Sequence, residues 1–219
     1  MRARPVWSAL FAALAALGGL ASAMAQSTDP WSAAYCEPAA QIKLLYTNRA
    51  YLILPKPPDA PLFYYSYMIL GTGTRVERHG QLIFDASDDH WDFDENLISL
   101  RRLWPLRPDN TIELDRVDRE TGIRAKVTFT VIGLEPIQVD RSAHKSWKIR
   151  RLDRYETGDT SIQFLWYAPD LCTLSAFTDS QQRLVRLLRV LRPGGKDYDR
   201  PIAHRNHKLY FADTNERVR

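Results

Sequence analysis

The sequence predicts an all-β domain built on a single curved antiparallel sheet, a half-barrel or flattened barrel with little helix. Three observations predict it. Apolar and polar residues alternate with a period of two along most of the chain, and turn residues recur about every ten residues. Few segments have the spacing of an amphipathic helix. Because consecutive strands look like successive hairpins, a curved meander is favoured over a Greek-key sandwich.

The first element along the chain is an export signal. Arg2 and Arg4 form a basic n-region, and Leu10–Leu20 forms an apolar h-region. Ala23-Met24-Ala25 then supplies the small-x-small pattern that signal peptidase cleaves. The apolar run is short and rich in Ala and Gly, whereas a stable membrane span needs roughly 20 strongly apolar residues. The sequence therefore predicts cleavage after Ala25, a periplasmic location, and a mature protein that is not integral to the membrane.

The mature chain is nearly neutral. Removing residues 1–25 takes away two arginines and no acid, so the formal net charge falls by two, from +4 to +2. This balance gives no support to nucleic-acid binding, and no nucleic-acid partner is predicted. Residues 26–193 are long enough for one domain with a sizeable core. The polar residues 194–219 are predicted to form a weakly structured C-terminal tail.

Cys36 and Cys172 are the two cysteines of the chain. Export places both in an oxidising compartment, where disulfides persist. Their spacing does not match the C-x-x-C pattern of redox-active pairs. The sequence therefore predicts a structural Cys36–Cys172 disulfide that ties the N-terminal segment to the last third of the domain.

Several segments of the mature chain have the pattern of strands. In order they are Ile42–Leu45, Tyr51–Leu54, Leu62–Leu70, Arg75–His79, Gln81–Asp85, Thr111–Val117, Ile123–Ile132, Ser146–Tyr155, Thr160–Tyr167 and Leu171–Thr178. The prolines of Pro55–Pro61 cannot donate to a strand ladder and predict a stiff connector. The alternation is cleanest in Ile123–Ile132, where Ala125, Val127, Phe129 and Val131 share one face.

Gln182–Arg192 fits two structures. Leu184, Leu188 and Val190 fit one face of a strand. One stripe of a helix is fitted equally by Leu184, Leu187, Leu188 and Leu191. A helix would place Arg183, Arg186 and Arg189 on one basic side, an arrangement suited to a membrane surface. After a run of hairpins, a further strand is the favoured prediction.

The middle of the domain resembles a known group of proteins. Val131–Val139, Ser146–Ile149 and Leu165–Leu171 resemble uncharacterised bacterial periplasmic β-sheet domains in which a WYAP-x-L-G hairpin closes a curved sheet. They are more distantly similar to the half-barrels of lipoprotein carriers. The resemblance implies a fold and a compartment, and no catalytic residue. This chain departs from the group in having Cys172 at the glycine position and Asp140–Lys145 in place of a small-residue turn.

Aromatic side chains on the strand-like segments form the candidate ligand-binding site. They either fill the core or, if no other element covers the concave face, line a groove for an apolar ligand such as an acyl chain. The six residues are Phe63, Tyr65, Tyr67, Phe129, Phe164 and Trp166.

Asp85–Glu95 is the densest acidic cluster of the chain, with His90 among its carboxylates. Hard cations need several oxygen ligands from one loop, but the glycine and the closing glutamate of a calcium loop are absent here. His204 and His207, three residues apart, also have no carboxylate or cysteine partner at a suitable spacing. No metal site and no cofactor are therefore predicted.

Two further patterns have plain structural explanations. Gly71-Thr72-Gly73 begins like a nucleotide-binding turn but has no third glycine and no following helix. Glu113 and Asp115 share one face of a strand, and cross-strand ion pairing with nearby basic residues is the expected role.

The sequence contains no Gly-x-Ser-x-Gly elbow, and no other constellation indicates an enzyme. The leading hypothesis is a non-enzymatic periplasmic protein that binds an apolar or envelope-derived ligand, such as a lipid, or an envelope protein. The alternative is an envelope hydrolase that uses the carboxylates of Asp85–Glu95.

Overall fold

The computed structural model describes residues 35–36, 38–58, 64–79, 91–92, 100–118, 121–205, 208–211 and 216–217. The predicted signal peptide and its cleavage site lie outside these residues. The described residues form fourteen strands and a 3₁₀ turn at Arg101–Leu103. The strands are β1 Lys43–Tyr46, β2 Ala50–Ile53, β3 Tyr64–Ile69, β4 Arg75–His79, β5 Trp91–Asp92, β6 Thr111–Asp118, β7 Arg124–Val139, β8 Ser142–Tyr155, β9 Thr160–Ala168, β10 Thr173–Thr178, β11 Leu184–Leu191, β12 Ile202–Arg205, β13 Lys208–Phe211 and β14 Glu216–Arg217.

Eleven strands form one antiparallel sheet. Their order is β4-β3-β2-β1-β11-β10-β9-β8-β7-β6-β5, which is linear and not closed into a barrel. Strands β1–β4 form one meander and β5–β10 another, and β11 joins them by pairing with both β1 and β10. The predicted all-β class is confirmed, and residues 184–191 form the strand that was favoured over a helix.

The sheet is strongly curved around the long β7–β8 hairpin. At the hairpin tip, the Asp140 amide donates to the carbonyl oxygen of Leu188 in β11 at 2.8 Å. Four strand spacings separate β7 from β11 in the sheet order, which is about 19 Å in a flat sheet. A register shift between Val131 and Gly133 accompanies this curvature, as bulges bend the strand that carries them.

The concave face of the sheet is filled. Ala125, Val127, Phe129 and Val131 of β7 are all buried, as their alternation predicted. The segment 100–106 packs against this face and belongs to the same hydrophobic cluster. Its buried residues are Leu100, Leu103, Trp104 and Leu106. The Asn110 side-chain amide holds the segment in place by donating to the carbonyl oxygens of Leu103 at 2.8 Å and Arg102 at 3.2 Å.

The C-terminal segment corrects the prediction of a weakly structured tail. Strands β12, β13 and β14 form a small antiparallel sheet. Leu209 and Phe211 of β13 are buried in a second hydrophobic cluster with Leu45 of β1 and Leu191 of β11. The strands are only two to four residues long, so alternation within them is too brief to detect in a polar stretch.

Within the described residues, no helix is long and apolar enough to cross a membrane. The division of the chain at residues 25 and 193 remains a prediction.

Candidate functional site

A cleft of about 310 Å³ opens beside the segment that fills the concave face. Its walls come from four separate parts of the chain: the N-terminal segment, the corner after the 3₁₀ turn, β8, and the turn between β9 and β10. The lining residues are Tyr35, Cys36, Trp104, Pro105, Leu106, Trp147 and Pro169. Five of these seven residues are aromatic or proline.

Packed aromatic rings form the inner wall of the cleft. The Tyr35 ring meets Trp104 edge-on with centroids 5.0 Å apart, and lies nearly parallel to the ring of Tyr167 at 6.3 Å. Trp104 also contacts Tyr167 edge-on at 6.0 Å. Edge-to-face and offset contacts at these distances are the arrangements that aromatic pairs prefer. Since Tyr167 is fully buried, the wall rests on the core.

The N-terminal wall is held by a disulfide and a pair of hydrogen bonds. Cys36 and Cys172 are bonded, with their Cα atoms 5.0 Å apart, as the sequence predicted. The Cys36 amide donates to the Tyr167 hydroxyl at 3.1 Å, and that hydroxyl donates to the Cys36 carbonyl at 3.0 Å. These interactions fix Tyr35 and Cys36 against β9 and the turn that follows it.

The same turn is tied to β8 on its other side. His144 Nδ1 of β8 and Asp170 Oδ2 lie 2.6 Å apart, and Asp170 follows Pro169 of the cleft directly. Both ends of the turn are therefore linked to neighbouring elements, by this pair and by the disulfide at Cys172. The cleft is a preformed feature of the fold, as ligand pockets usually are.

The six aromatic residues of the predicted ligand site do not share one groove. Tyr67 and Phe129 are buried in the main core. Phe164 and Trp166 point to the opposite face of the sheet, because Leu165 and Tyr167 between and beside them enter the core. Tyr65 lies in β3 opposite Arg78, and Phe63 lies outside the described residues. Ligand binding by any of these residues remains a prediction.

Phe164 and Trp166 belong to a small polar cluster on that outer face. The Trp166 indole donates to Glu135 Oε2 at 2.7 Å, and Lys148 Nζ donates to Glu135 Oε1 at 2.9 Å. Lys148 also lies 5.2 Å from the centroids of both the Phe164 and Trp166 rings. The hydrogen bond from Trp166, followed by that from Lys148, lowers the pKa of the Glu135 carboxyl below its usual value.

The lowered pKa predicts a pH-dependent contribution of Glu135 to stability. The folded state favours the carboxylate, so the stabilisation is present above the ordinary glutamate pKa and is lost as the pH falls through the lowered value. Because the side chain is 43% exposed, we expect Glu135→Gln to reduce the free energy of unfolding by at most about 1 kcal/mol at neutral pH. Urea unfolding of both proteins should show this difference shrinking in acid. A difference that persists at low pH would contradict the role of the carboxylate.

A buried ionic network at the other end of the concave face was not predicted from the sequence. Asp153 accepts two hydrogen bonds from Arg151, at 3.0 and 2.9 Å, and one from Arg116 at 2.9 Å. Arg116 also donates to the Tyr155 hydroxyl at 3.0 Å. Arg116 and Arg151 are each 2% exposed. Strand alternation could have indicated this network, since Arg151 and Asp153 lie two and four residues after Ile149 and therefore share its inward face.

The predicted acidic cluster falls mostly outside the described residues. Asp92 lies in β5 opposite Val117, and the other carboxylates of Asp85–Glu95 are not described. His204 lies in β12 opposite Leu209, while His207 is also outside the described residues. In the described part of the chain, no group of three or more His, Cys, Asp or Glu residues is arranged to hold a metal ion. The hydrolase alternative therefore remains a prediction.

The predicted cross-strand ion pairing of Glu113 and Asp115 is present at Glu113. Lys126 Nζ on β7 donates to Glu113 Oε1 of β6 at 2.8 Å, which is the expected cross-strand ion pair. The hydrogen bond and charge of Glu113 raise the pKa of Lys126. Asp115 is paired in register with the same lysine.

No family model matches the chain, and no curated protein matches it in sequence. Among solved structures, the crystal structure of the hypothetical lipoprotein YmcC from Escherichia coli (K12) matches with a TM-score of 0.46 and 8% sequence identity. That match covers 72% of this chain and 89% of the lipoprotein chain.

Proposed function

We propose that this chain is an exported, non-enzymatic binding protein and that its ligand enters the aromatic cleft. The observation that carries the proposal is the cleft itself, about 310 Å³ in volume and walled by Tyr35, Trp104 and Trp147. The Cys36–Cys172 disulfide supports export, since such bonds are rare in the reducing cytosol. Concave, mostly apolar and preformed pockets are the usual sites for small ligands.

The volume of the cleft limits the size of the bound group. The volume is about 310 Å³. This is at the small end of the range for ligand pockets, about 300–1,000 Å³. The cleft therefore fits a ring-sized group or a short apolar chain, while a long acyl chain would extend beyond it. The proposed ligand is an apolar or envelope-derived molecule that inserts one such group between the aromatic walls.

Native mass spectrometry of protein purified from the periplasm without denaturation tests the proposal first. We expect either a co-purified small molecule or one-to-one binding of the aromatic probe anilinonaphthalene sulfonate. Quenching or a spectral shift of tryptophan fluorescence should accompany binding, because Trp104 and Trp147 line the cleft. Protein that is consistently empty and binds neither the probe nor a panel of short fatty acids and monosaccharides would refute the proposal.

Trp147→Ala tests whether the probe binds in the cleft. Trp147 is half-buried, and removing its ring deletes one wall, so we expect at least about tenfold weaker probe binding. Phe164→Ala is the matched control, because Phe164 is a half-buried aromatic residue on the adjacent strand but faces away from the core. If both variants lose probe affinity equally, or if only Phe164→Ala loses it, the ligand does not bind in the cleft and the outer face is indicated instead.

A further inference from the structure

The outer face of strands β7, β8 and β9 carries a cluster of cations around an aliphatic pair. We call it the outer patch, and it consists of Arg124, Lys126, Arg150, Leu152, Arg154 and Ile162. On β8, Ile149, Arg151 and Asp153 are buried, so the alternating residues of the outer patch point the other way. The same alternation puts Arg124 and Lys126 of β7 on this outer face.

Strand register brings the cations together. Lys126 lies directly opposite Arg154, an arrangement in which like charges repel across a sheet. Glu113 of β6 binds Lys126, and Asp115 lies beside it on the same face. Arg124, Arg150 and Arg154 form no ion pair with any carboxylate in the described part of the chain. The outer patch therefore has more positive than negative charge and three guanidinium groups that can bind anions.

The aliphatic pair lies between these cations. Leu152 and Ile162 are directly opposite each other on β8 and β9, and Arg150 and Arg154 flank Leu152 along its strand. Ile162 remains 42% exposed in the folded protein. An exposed isoleucine beside a half-buried leucine, both among cations, matches the interface of an anionic bilayer, where phosphates and acyl carbons lie close together.

We propose that the outer patch docks the protein on an anionic phospholipid surface. The arginines bind headgroup phosphates, and Ile162 inserts at the boundary with the acyl chains. An acidic polysaccharide would satisfy the arginines but would leave the aliphatic pair in water. Because Trp147 and the outer patch lie on opposite faces of β8, a docked molecule keeps the aromatic cleft away from the membrane.

Vesicle co-sedimentation of the full mature chain tests this proposal. We expect binding to vesicles that contain phosphatidylglycerol, weakening at high salt, and little binding to pure phosphatidylcholine. Arg124→Gln/Arg154→Gln should weaken binding about 30-fold, roughly fivefold for each cation. Ile162→Ser should weaken it several-fold by removing the inserted side chain.

Arg107→Gln/Arg192→Gln is the matched control, since it removes the same charge from exposed positions outside the outer patch. It should leave vesicle binding within about twofold of the original protein. An equal loss in this control would show that net charge alone drives binding, and would overturn the proposal. The proposal would also be overturned if the protein bound no vesicles or bound phosphatidylcholine equally well. Unchanged vesicle binding by Ile162→Ser, or binding to alginate without binding to vesicles, would overturn it too.

Discussion

Replacing both cysteines in Cys36→Ser/Cys172→Ser should lower the free energy of unfolding by about 5 kcal/mol. The bond links residues 136 positions apart, and the chain-entropy model gives about this value for a loop of that length. Most of the effect arises in the unfolded chain, which gains conformational freedom when the loop is opened. Because total stability is typically only about 5–15 kcal/mol, this loss removes a large share of it.

Urea unfolding followed by tryptophan fluorescence measures this effect. The midpoint should fall sharply, and reduced wild-type protein should unfold like the double variant. The variant should also loosen one wall of the cleft, because residues 35 and 36 would lose their covalent link to residue 172. The hydrogen bonds and ring contacts with Tyr167 would still connect them to the core. Binding of the aromatic probe is therefore expected to weaken as well. An unchanged midpoint would show that the loop is already constrained in the unfolded state.

Asp153→Asn should strongly destabilise the described core. The carboxylate accepts three hydrogen bonds from the guanidinium groups of Arg116 and Arg151, all inside the sheet. Removing one partner from a buried ionic network typically costs about 3–5 kcal/mol, because charges remain in a medium of low polarity without their counter-ion. Asparagine keeps the size of the side chain, so the loss measures charge and hydrogen bonding rather than a cavity.

Glu113→Gln is the matched control for this prediction. It also neutralises a carboxylate that binds a cation on a neighbouring strand, but both side chains of the Glu113–Lys126 pair are about half exposed. Exposed pairs contribute only about 0–1 kcal/mol, so the control should unfold at nearly the original urea concentration. If Asp153→Asn loses no more than Glu113→Gln, the buried network does not hold the sheet together.

Alternation predicted the strands well wherever one face was apolar. In β7, the buried residues are those that the period-two pattern placed together, and a register slip would expose all of them. β11 was ambiguous because four of its leucines fit one helix stripe, while Leu184, Leu188 and Val190 also fit one strand face. The choice between them depends on β1 and β10, which pair with β11 from distant parts of the chain.

The candidate cleft could not be predicted because its walls are distant in sequence. Tyr35, Trp104, Trp147 and Pro169 meet only after the disulfide, the 3₁₀ corner and the β9–β10 turn are in place. The predicted aromatic set failed to share a groove for a related reason. Consecutive residues Phe164 to Tyr167 are all large and apolar, so their pattern does not reveal which two face the core.

The all-β class, most strand positions and the cysteine pair were predictable from the sequence, because they follow from local periodicity, turn residues and the number of cysteines. An export signal is predicted from the same sequence, and the disulfide was expected from that prediction. Only the folded structure shows which faces are covered, that Arg116 and Arg151 bind Asp153, and that β12, β13 and β14 form a second sheet. Those outcomes depend on contacts between segments far apart in the chain, and no local pattern specifies them.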